Sequence, residues 1–254
     1  MARFRPVSHE DRLSIVEHLD ELRTRLVVSL LTFGVALALC FWQNHFILKL
    51  ANRPLHGRTP VTLGVAEPFT TTFTLSAYGA ILLSLPVVLY QLYAFVLPAF
   101  TARERRVALP LMMMIPFLFI GGVVFGYYVV LPAALKFLLN FNSDQFNTQI
   151  RARDYYSFVS LSLVSIGVLF QVPVGVLALT RLGVVSPRQL RKNRRYAILA
   201  IAVVAALLPG VDPVSMLIEM LPLVLLYELS ILLAVAFGRP AEEVSDRVVS
   251  AEGS

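Results

Sequence analysis

The sequence predicts an all-α membrane protein with six transmembrane helices and both termini in the cytoplasm, and its composition and charge distribution carry this prediction. Hydrophobic residues make up 57% of the 254 residues, and charged residues make up only 15%. Soluble domains contain about 25% charged residues. Because so apolar a chain cannot cover a water-facing surface, most of its exterior is expected to face lipid.

Six apolar segments are candidates for membrane spans, each of which needs about 20 residues. They are predicted at about 26–42, 72–96, 107–130, 155–180, 196–208 and 214–237, with a continuation of the third past Pro132 left open. The fifth segment gives only about 20 Å of helix, and the sixth contains Pro222. We therefore expect two short C-terminal spans, which either thin the nearby bilayer or lie buried among longer helices.

The distribution of positive charge predicts the orientation, because Lys and Arg concentrate in cytoplasmic segments. The N-terminal segment, the second and fourth loops and the C-terminal tail contain 16 of the 22 Lys and Arg residues. Both termini are therefore predicted to be cytoplasmic. We expect one six-helix membrane domain over residues 1–240, with residues 1–13 and 239–254 as flexible cytoplasmic tails.

Motifs for several kinds of chemistry are absent from the sequence. It has no P-loop, no H-E-x-x-H, no Cys/His cluster with metal-ligand spacing and no G-x-S-x-G. All four histidines precede residue 57, and Cys40 is the only cysteine, so neither a Ser/His/Asp triad nor an intrachain disulfide is expected. We therefore expect no metal, no cofactor and no enzymatic activity, and a function that depends on binding.

An acidic patch lies near the N-terminus, on a side of the protein that is otherwise basic. Ser14 and Glu17 resemble a capping box, which predicts that a helix begins at Ser14. Its apolar residues share one face, so we expect an amphipathic helix at the cytoplasmic interface before the first span. Asp20 and Glu21 lie with Glu17 on the polar side. Alternatively, Glu21 pairs locally with Arg25, four residues later.

Further ionisable residues lie in the second loop and in or beside the predicted spans. Glu104 is the only acid of its loop, where three neighbouring arginines could balance it. Ionisable residues inside a membrane are costly and are functional by default. Those in or near the spans are Glu67, Asp212, Glu219 and Glu228, together with the neutral Gln171. Glu67 precedes the second span, where it could simply cap that helix.

Several short segments, taken together, resemble the TatC family, the multi-spanning receptor subunits of the twin-arginine protein translocase. The sequence E-H-L-D-E-L-R-T-R-L at 17–26 resembles the family's opening H-L-x-E-L-R-x-R. Other segments agree in order and spacing at 52–55, 67–69, 85–91, 94–100, 103–106, 167–174, 190–196, 212–213 and 226–229. The resemblance extends over about 14–237 and is specific as a set.

The resemblance implies a cup-shaped, six-helix protein of a prokaryotic inner membrane that recognises S-R-R-x-F-L-K-type signal peptides on folded proteins. The implied partners are TatA- and TatB-type single-span subunits, further copies of the chain and membrane lipids, but no nucleic acid. The implied energy source is the proton-motive force, worth about 2.3 kcal/mol per charge per 100 mV.

The resemblance also implies roles for individual residues. Glu21 and Glu104 match the family's two cytoplasmic carboxylates associated with the paired arginines. Positions placed with them in signal recognition are Arg23, Phe95 and Arg106, and positions expected to matter within the membrane are Pro54, Glu67, Gln171, Asp212 and Glu228. Gln171 departs from the pattern, because many relatives have Glu there. Glutamine retains hydrogen bonding but loses the charge.

Carboxylates suit such a site because two guanidinium groups need planar, bidentate acceptors. Lysine is a poor substitute for arginine there, which would give the signal its specificity. The alternative hypothesis is a proton-coupled transporter of a small solute that uses Gln171, Glu219 and Glu228. Against it stand the lack of repeated halves and the lack of a polar cluster on two broken helices.

Overall fold

The structure is a computed structural model that describes residues 9–96, 102–141, 143–145, 148–181, 184–207 and 213–237. Side chains are described in these ranges except at 9–17, 96, 102–111, 215 and 237. In this part of the chain the regular structure is helical, apart from an isolated parallel bridge between Val61 and Arg151. The predicted all-α class is therefore confirmed.

The helices follow one another along the chain with short connections. They are α1 His9–Trp42, α2 Asn44–Asn52, a 3₁₀ turn Arg53–Leu55, α3 Glu67–Val96, α4 Ala102–Phe125, a π-helical turn Gly126–Val130, α5 Leu131–Asn140, α6 Ala152–Leu169, α7 Val172–Arg181, α8 Pro187–Lys192, α9 Arg194–Leu207 and α10 Pro213–Phe237. α1 packs along α3, α6 packs against α3 and α4, and α10 packs against α7 and α9.

Five helical stretches of the described residues are long and apolar enough to cross a membrane. They are His18–Trp42, Glu67–Phe95, Met112–Asn140, Ala152–Arg181 and Met216–Ala236. These correspond to the first four predicted spans and the sixth, and the third continues past Pro132. α9 corresponds to the fifth. Its 14 residues give about 21 Å of helix, which is short of a hydrocarbon core roughly 30 Å thick.

The prediction of two short C-terminal spans is wrong for the last helix. α10 has 25 residues and continues through Pro222, which gives about 38 Å of helix. A proline is tolerated inside a membrane helix when its surroundings satisfy the freed backbone groups, and Pro222 is buried. Of the two final helices, α9 alone is short.

The first helix begins earlier than the sequence predicts. α1 is already helical at His9, so Ser14 lies within the helix and the capping-box interpretation is wrong. The amphipathic segment and the first span form one continuous helix of 34 residues, rather than an interfacial helix followed by a separate span. Residues 9–13, expected in the N-terminal tail, belong to this helix. Residues 1–8 and 238–254 lie outside the described residues.

The third span changes its helical geometry just before a proline. Pro132 has no N–H, and in a regular α-helix its ring would clash with the carbonyl of Tyr128. The chain widens there into the π-helical turn Gly126–Val130, and the Leu131 N–H donates to the Gly126 carbonyl. A single π-turn of this kind can lie inside a helix without ending it.

The fourth span is a broken helix, and a proline explains the break. The ring of Pro173 would clash with the carbonyl of Leu169 in a continuous α-helix. α6 accordingly ends at Leu169, and the chain turns through Phe170 and Gln171 before α7 begins. Gln171 therefore lies at an interruption inside a span.

Glycine permits the close packing of α4 against α6. Gly122 and Gly126 have the spacing of the G-x-x-x-G motif, which lets membrane helices approach closely. A Cβ added at Gly122 would lie 2.6 Å from Phe170 Cγ. A Cβ added at Gly167, on the facing helix, would lie 2.6 Å from Phe119 Cε2. Both distances are far below a van der Waals contact, so a larger residue would force the two helices apart.

Two tyrosines close the end of α2 and so position the 3₁₀ turn that contains Pro54. The last carbonyl groups of a helix have no partner within it. Tyr127 Oη donates to the Leu50 carbonyl over 2.8 Å. Tyr155 Oη donates to the Ala51 carbonyl over 2.6 Å. These bonds fix the turn against the third and fourth spans.

The main buried core lies where α2, α3, α5 and α6 meet, and Leu55, Leu131 and Val159 are almost fully enclosed there. Many large apolar side chains remain on the outside, among them Leu30 and Leu31 of α1, each more than 60% exposed. An apolar exterior of this extent is what the composition predicts for a protein surrounded by lipid.

Candidate functional site

The acidic patch of α1 lies against the C-terminal part of α3. Glu21 Oε1 accepts two hydrogen bonds from the Arg25 guanidinium, one of them from Nε over 3.0 Å. Arg25 Nη1 also donates to Gln91 Oε1 of α3 over 3.0 Å. The guanidinium therefore joins the two helices and holds the Glu21 carboxylate in one orientation. The structure therefore contains the local Glu21–Arg25 pair that the sequence offered as an alternative.

The second oxygen of the Glu21 carboxylate is less engaged. Glu21 Oε2 lies 3.6 Å from His18 Nδ1, and the Glu21 side chain is 33% exposed. A carboxylate has about four acceptor positions on its two oxygens. Because both bonds from Arg25 go to Oε1, the Oε2 edge retains acceptor capacity for another donor.

An aromatic stack brings Phe95 close to this carboxylate. The rings of His18 and Phe95 are nearly parallel, at 13°, with centroids 4.3 Å apart. His18 is also the residue that contacts Glu21 Oε2. The structure therefore brings together two of the predicted recognition residues, Glu21 from α1 and Phe95 from the last turn of α3.

The remaining predicted recognition residues lie on the same two helices or just after them. Glu104 and Arg106 lie in the first two turns of α4, which begins six residues after α3 ends, and their side chains lie outside the described part of the chain. Arg23 is exposed on α1.

Glu67 joins two loops instead of simply capping α3. It is the first residue of that helix and is buried, and its Oε2 accepts from the N–H groups of Leu63 and Gly64 in the preceding loop, over 2.9 and 3.2 Å. Its Oε1 accepts from Arg151 Nε over 3.0 Å. This carboxylate raises the pKa of Arg151 above its usual range. The expectation of a helix cap is thereby corrected.

The same two loops are joined by backbone hydrogen bonds beside the Glu67–Arg151 pair. The Val61 N–H donates to the Ile150 carbonyl, and the Ala152 N–H donates to the Val61 carbonyl, both over 2.8 Å. The loop before α3 and the loop before α6 therefore form one connected surface. Pro54 lies at the start of this surface, buried in the 3₁₀ turn.

Gln171 is buried at the break of the fourth span. Its Nε2 donates to the Ile115 carbonyl of α4 over 3.3 Å, and its Oε1 has no hydrogen-bond partner among the described residues. An ionised Glu at this position could not donate to the Ile115 carbonyl, whereas the protonated form could. Glutamine therefore donates the hydrogen bond that a protonated Glu would donate, and it cannot ionise.

Glu228 fastens α10 to the helices before it. Its Oε2 accepts from Arg194 Nη2, in the first turn of α9, over 2.7 Å. The neighbouring Tyr227 Oη donates to the Leu190 carbonyl of α8 over 2.9 Å. Gln171 and Glu228 thus bind different elements. Asp212, the remaining predicted residue, lies outside the described residues.

Four residues outside the predicted sites contact predicted site residues directly: His18, Arg25, Arg151 and Arg194. A fifth, Gln91, contacts Arg25. Spacing along one helix had indicated Arg25. The partners across the fold carry no local signal, since Arg151 lies 84 residues from Glu67 in the sequence. Within the described residues, no group of three His, Cys, Asp or Glu side chains could hold a metal ion.

Comparisons with known proteins show which proteins this chain is similar to. The family model for the Sec-independent protein translocase protein (TatC) matches residues 17–222. A TatC protein of Desulforapulum autotrophicum is 34% identical over 250 residues, covering 96% of this chain and 92% of that protein. TatCd of Bacillus subtilis is 38% identical over 221 residues, covering 87% and 90% respectively.

A solved structure is similar over most of the chain. The crystal structure of the twin-arginine translocase receptor TatC in DDM superposes with a TM-score of 0.78 at 32% sequence identity. The match covers 88% of this chain and 100% of the crystallised one. The likeness therefore extends to sequence, length and three-dimensional arrangement.

Proposed function

Because the chain belongs to the TatC family of Sec-independent protein translocase proteins, we propose that it binds the twin-arginine signal peptides of folded proteins through Glu21 and Glu104. The observation that carries this proposal is the orientation of Glu21. Arg25 and Gln91 hold its carboxylate against α3, and its Oε2 retains acceptor capacity. A guanidinium of the signal peptide binds there, and Glu104 of α4 binds the second.

In the proposed topology the chain crosses the inner membrane of a prokaryotic cell six times, and both termini lie in the cytoplasm. α9 supplies the sixth crossing, although it is short, because the distribution of positive charge favours cytoplasmic positions for both termini and so an even number of crossings. Residues 1–240 then form one domain, shaped as a cup. In this topology Glu21 and Glu104 face the cytoplasm, where a folded cargo presents its signal.

The aromatic stack supports recognition of an apolar part of the peptide in addition to its charged arginines. Phe95 lies on His18 beside the carboxylate, so an apolar surface adjoins an anionic acceptor. Such a surface matches a signal in which arginines are followed by an apolar residue. Arg23 lies on α1 with Glu21, and Arg106 lies on α4 with Glu104. Both arginines are proposed to contact the peptide or lipid phosphates.

The proposed role is that of a receptor without catalysis of its own. The chain assembles with TatA- and TatB-type subunits and with further copies of itself, and the proton-motive force drives transport. The alternative role as a proton-coupled transporter gains no specific support, because Glu228 pairs with Arg194 and Gln171 bonds to the backbone of α4.

Binding of a labelled twin-arginine peptide to the purified protein tests the proposal. Glu21→Gln and Glu104→Gln should each weaken binding by about tenfold or more, because a desolvated guanidinium loses its charged partner. Asp20→Asn is the matched control, since it removes an exposed carboxylate from the same helix. It should leave the affinity within about twofold. Fluorescence anisotropy gives the dissociation constants.

Two results would contradict the proposal. Equal weakening by Asp20→Asn would mean that general negative charge, and not Glu21, attracts the peptide. Unchanged affinity in both the Glu21 and the Glu104 variants would remove their role altogether. A peptide with lysines in place of its two arginines should bind the wild-type protein as weakly as the native peptide binds the variants.

A further inference from the structure

A basic cavity lies at the end of the molecule opposite Glu21. α1 runs about 32 Å from Glu21 to Trp42, and the chain then forms α2 and the 3₁₀ turn. A cavity of about 280 Å³ opens between this turn and α5. The exposed side chains of His56, Arg58 and Lys136 form its rim.

The floor of this cavity is apolar, and its rim carries positive charge without a matching acid. Pro54 and Leu135 line the cavity and are buried, and they form its floor. Among the described residues, no acidic side chain lines the cavity, although Asp144 lines a neighbouring cavity that shares Arg58. Within the described part of the chain, neither Arg58 nor Lys136 forms an ion pair. Unpaired cations above an apolar floor match an amphipathic anion.

The position of Lys136 places the rim at the depth of lipid headgroups. It is the sole charged residue of the third span, Met112–Asn140, and it lies four residues before the helix ends, which is about 6 Å. Charged residues within spans are costly and are retained for a reason. A long lysine side chain near a helix end reaches towards the interface, where phospholipid phosphates lie.

We propose that this cavity binds the headgroup of an acidic phospholipid. Arg58 and Lys136 contact the phosphate, and Leu135 and Pro54 contact the apolar part next to it. A cavity of about 280 Å³ has room for a group larger than a simple ion. Free phosphate shares the charge but gains nothing from the apolar floor. The proposal does not depend on signal recognition.

Thermal unfolding of the full-length protein in detergent tests this site. Phosphatidylglycerol should raise the Tm of the wild-type protein, because a ligand that binds the folded state stabilises it. Arg58→Gln and Lys136→Gln should each lose about half of that rise, and the double variant should lose nearly all of it. Lys136→Arg keeps the charge and should keep the response. Lys49→Gln, at an exposed lysine of α2 outside the cavity, is the matched control.

The same Tm measurements, repeated with other additives, distinguish a phospholipid headgroup from a free anion. Phosphatidylcholine and inorganic phosphate should each leave the Tm unchanged. A rise with inorganic phosphate equal to that with phosphatidylglycerol would show a simple anion site and overturn the lipid assignment. An undiminished response in the double variant, or a loss in Lys49→Gln as large as in Lys136→Gln, would overturn the cavity as its location.

Discussion

Single residues in this protein hold distant segments together, and Glu67 is the clearest case. Its two carboxylate oxygens bond to the loop before α3 and to Arg151 before α6, which is 84 residues away in sequence. Glu21 and Glu228 also pair with arginines, but Glu67 is far more buried than either. The three acids therefore differ in role. We expect a structural role for Glu67, whereas the partly exposed Glu21 side chain can still reach a ligand.

At the residue scale, Glu67→Ala should lower the Tm by several degrees, because it leaves two loop N–H groups and Arg151 without their acceptor. Arg151→Ala should lower it less, since the N–H groups keep the carboxylate. Arg153→Ala is the control for loss of a nearby arginine. Thermal unfolding in detergent measures all three. A Tm in Glu67→Ala equal to that of Arg153→Ala would contradict the structural role.

The elements of the fold are shaped by proline and glycine more than by hydropathy. Pro173 ends α6 and places Gln171 at a break, while Pro132 is absorbed by a π-turn and Pro222 leaves α10 continuous. Glycines set the distance between α4 and α6. Hydropathy alone predicts neither effect, because a span remains apolar whether or not its backbone is interrupted.

At the element scale, Gly122→Ala should destabilise the protein by about 1–3 kcal/mol, because the new methyl group overlaps Phe170. Gly121→Ala is a matched control on the same helix, since its Cβ would meet nothing within 4 Å. That change should be neutral or slightly stabilising, because alanine is the better helix former. Unfolding measured side by side decides the matter. Equal effects of the two changes would contradict the proposed close packing.

At the scale of the whole molecule, composition and apolar runs predict the helical class and the first four spans, because a lipid environment requires long apolar helices. The Glu21–Arg25 pair was also foreseeable, since it follows from spacing within one helix. The Arg25–Gln91 and His18–Phe95 contacts were not, because they depend on how α1 packs along α3. The predicted start of α1 was wrong because the helix already runs through the apparent capping box at Ser14. The predicted length of α10 was wrong because the helix continues through Pro222.

We propose above that two carboxylates, Glu21 in the N-terminal half of α1 and Glu104 in the first turn of α4, bind the paired arginines of a signal peptide. The most direct test places a photo-reactive residue beside those arginines in a signal peptide and maps its crosslinks on the full-length protein in membranes. We expect crosslinks within one helical turn of Glu21 and Glu104, and we expect them to disappear when both arginines are replaced by lysines. Crosslinks confined to α9 and α10, or unchanged by the lysine substitutions, would contradict it.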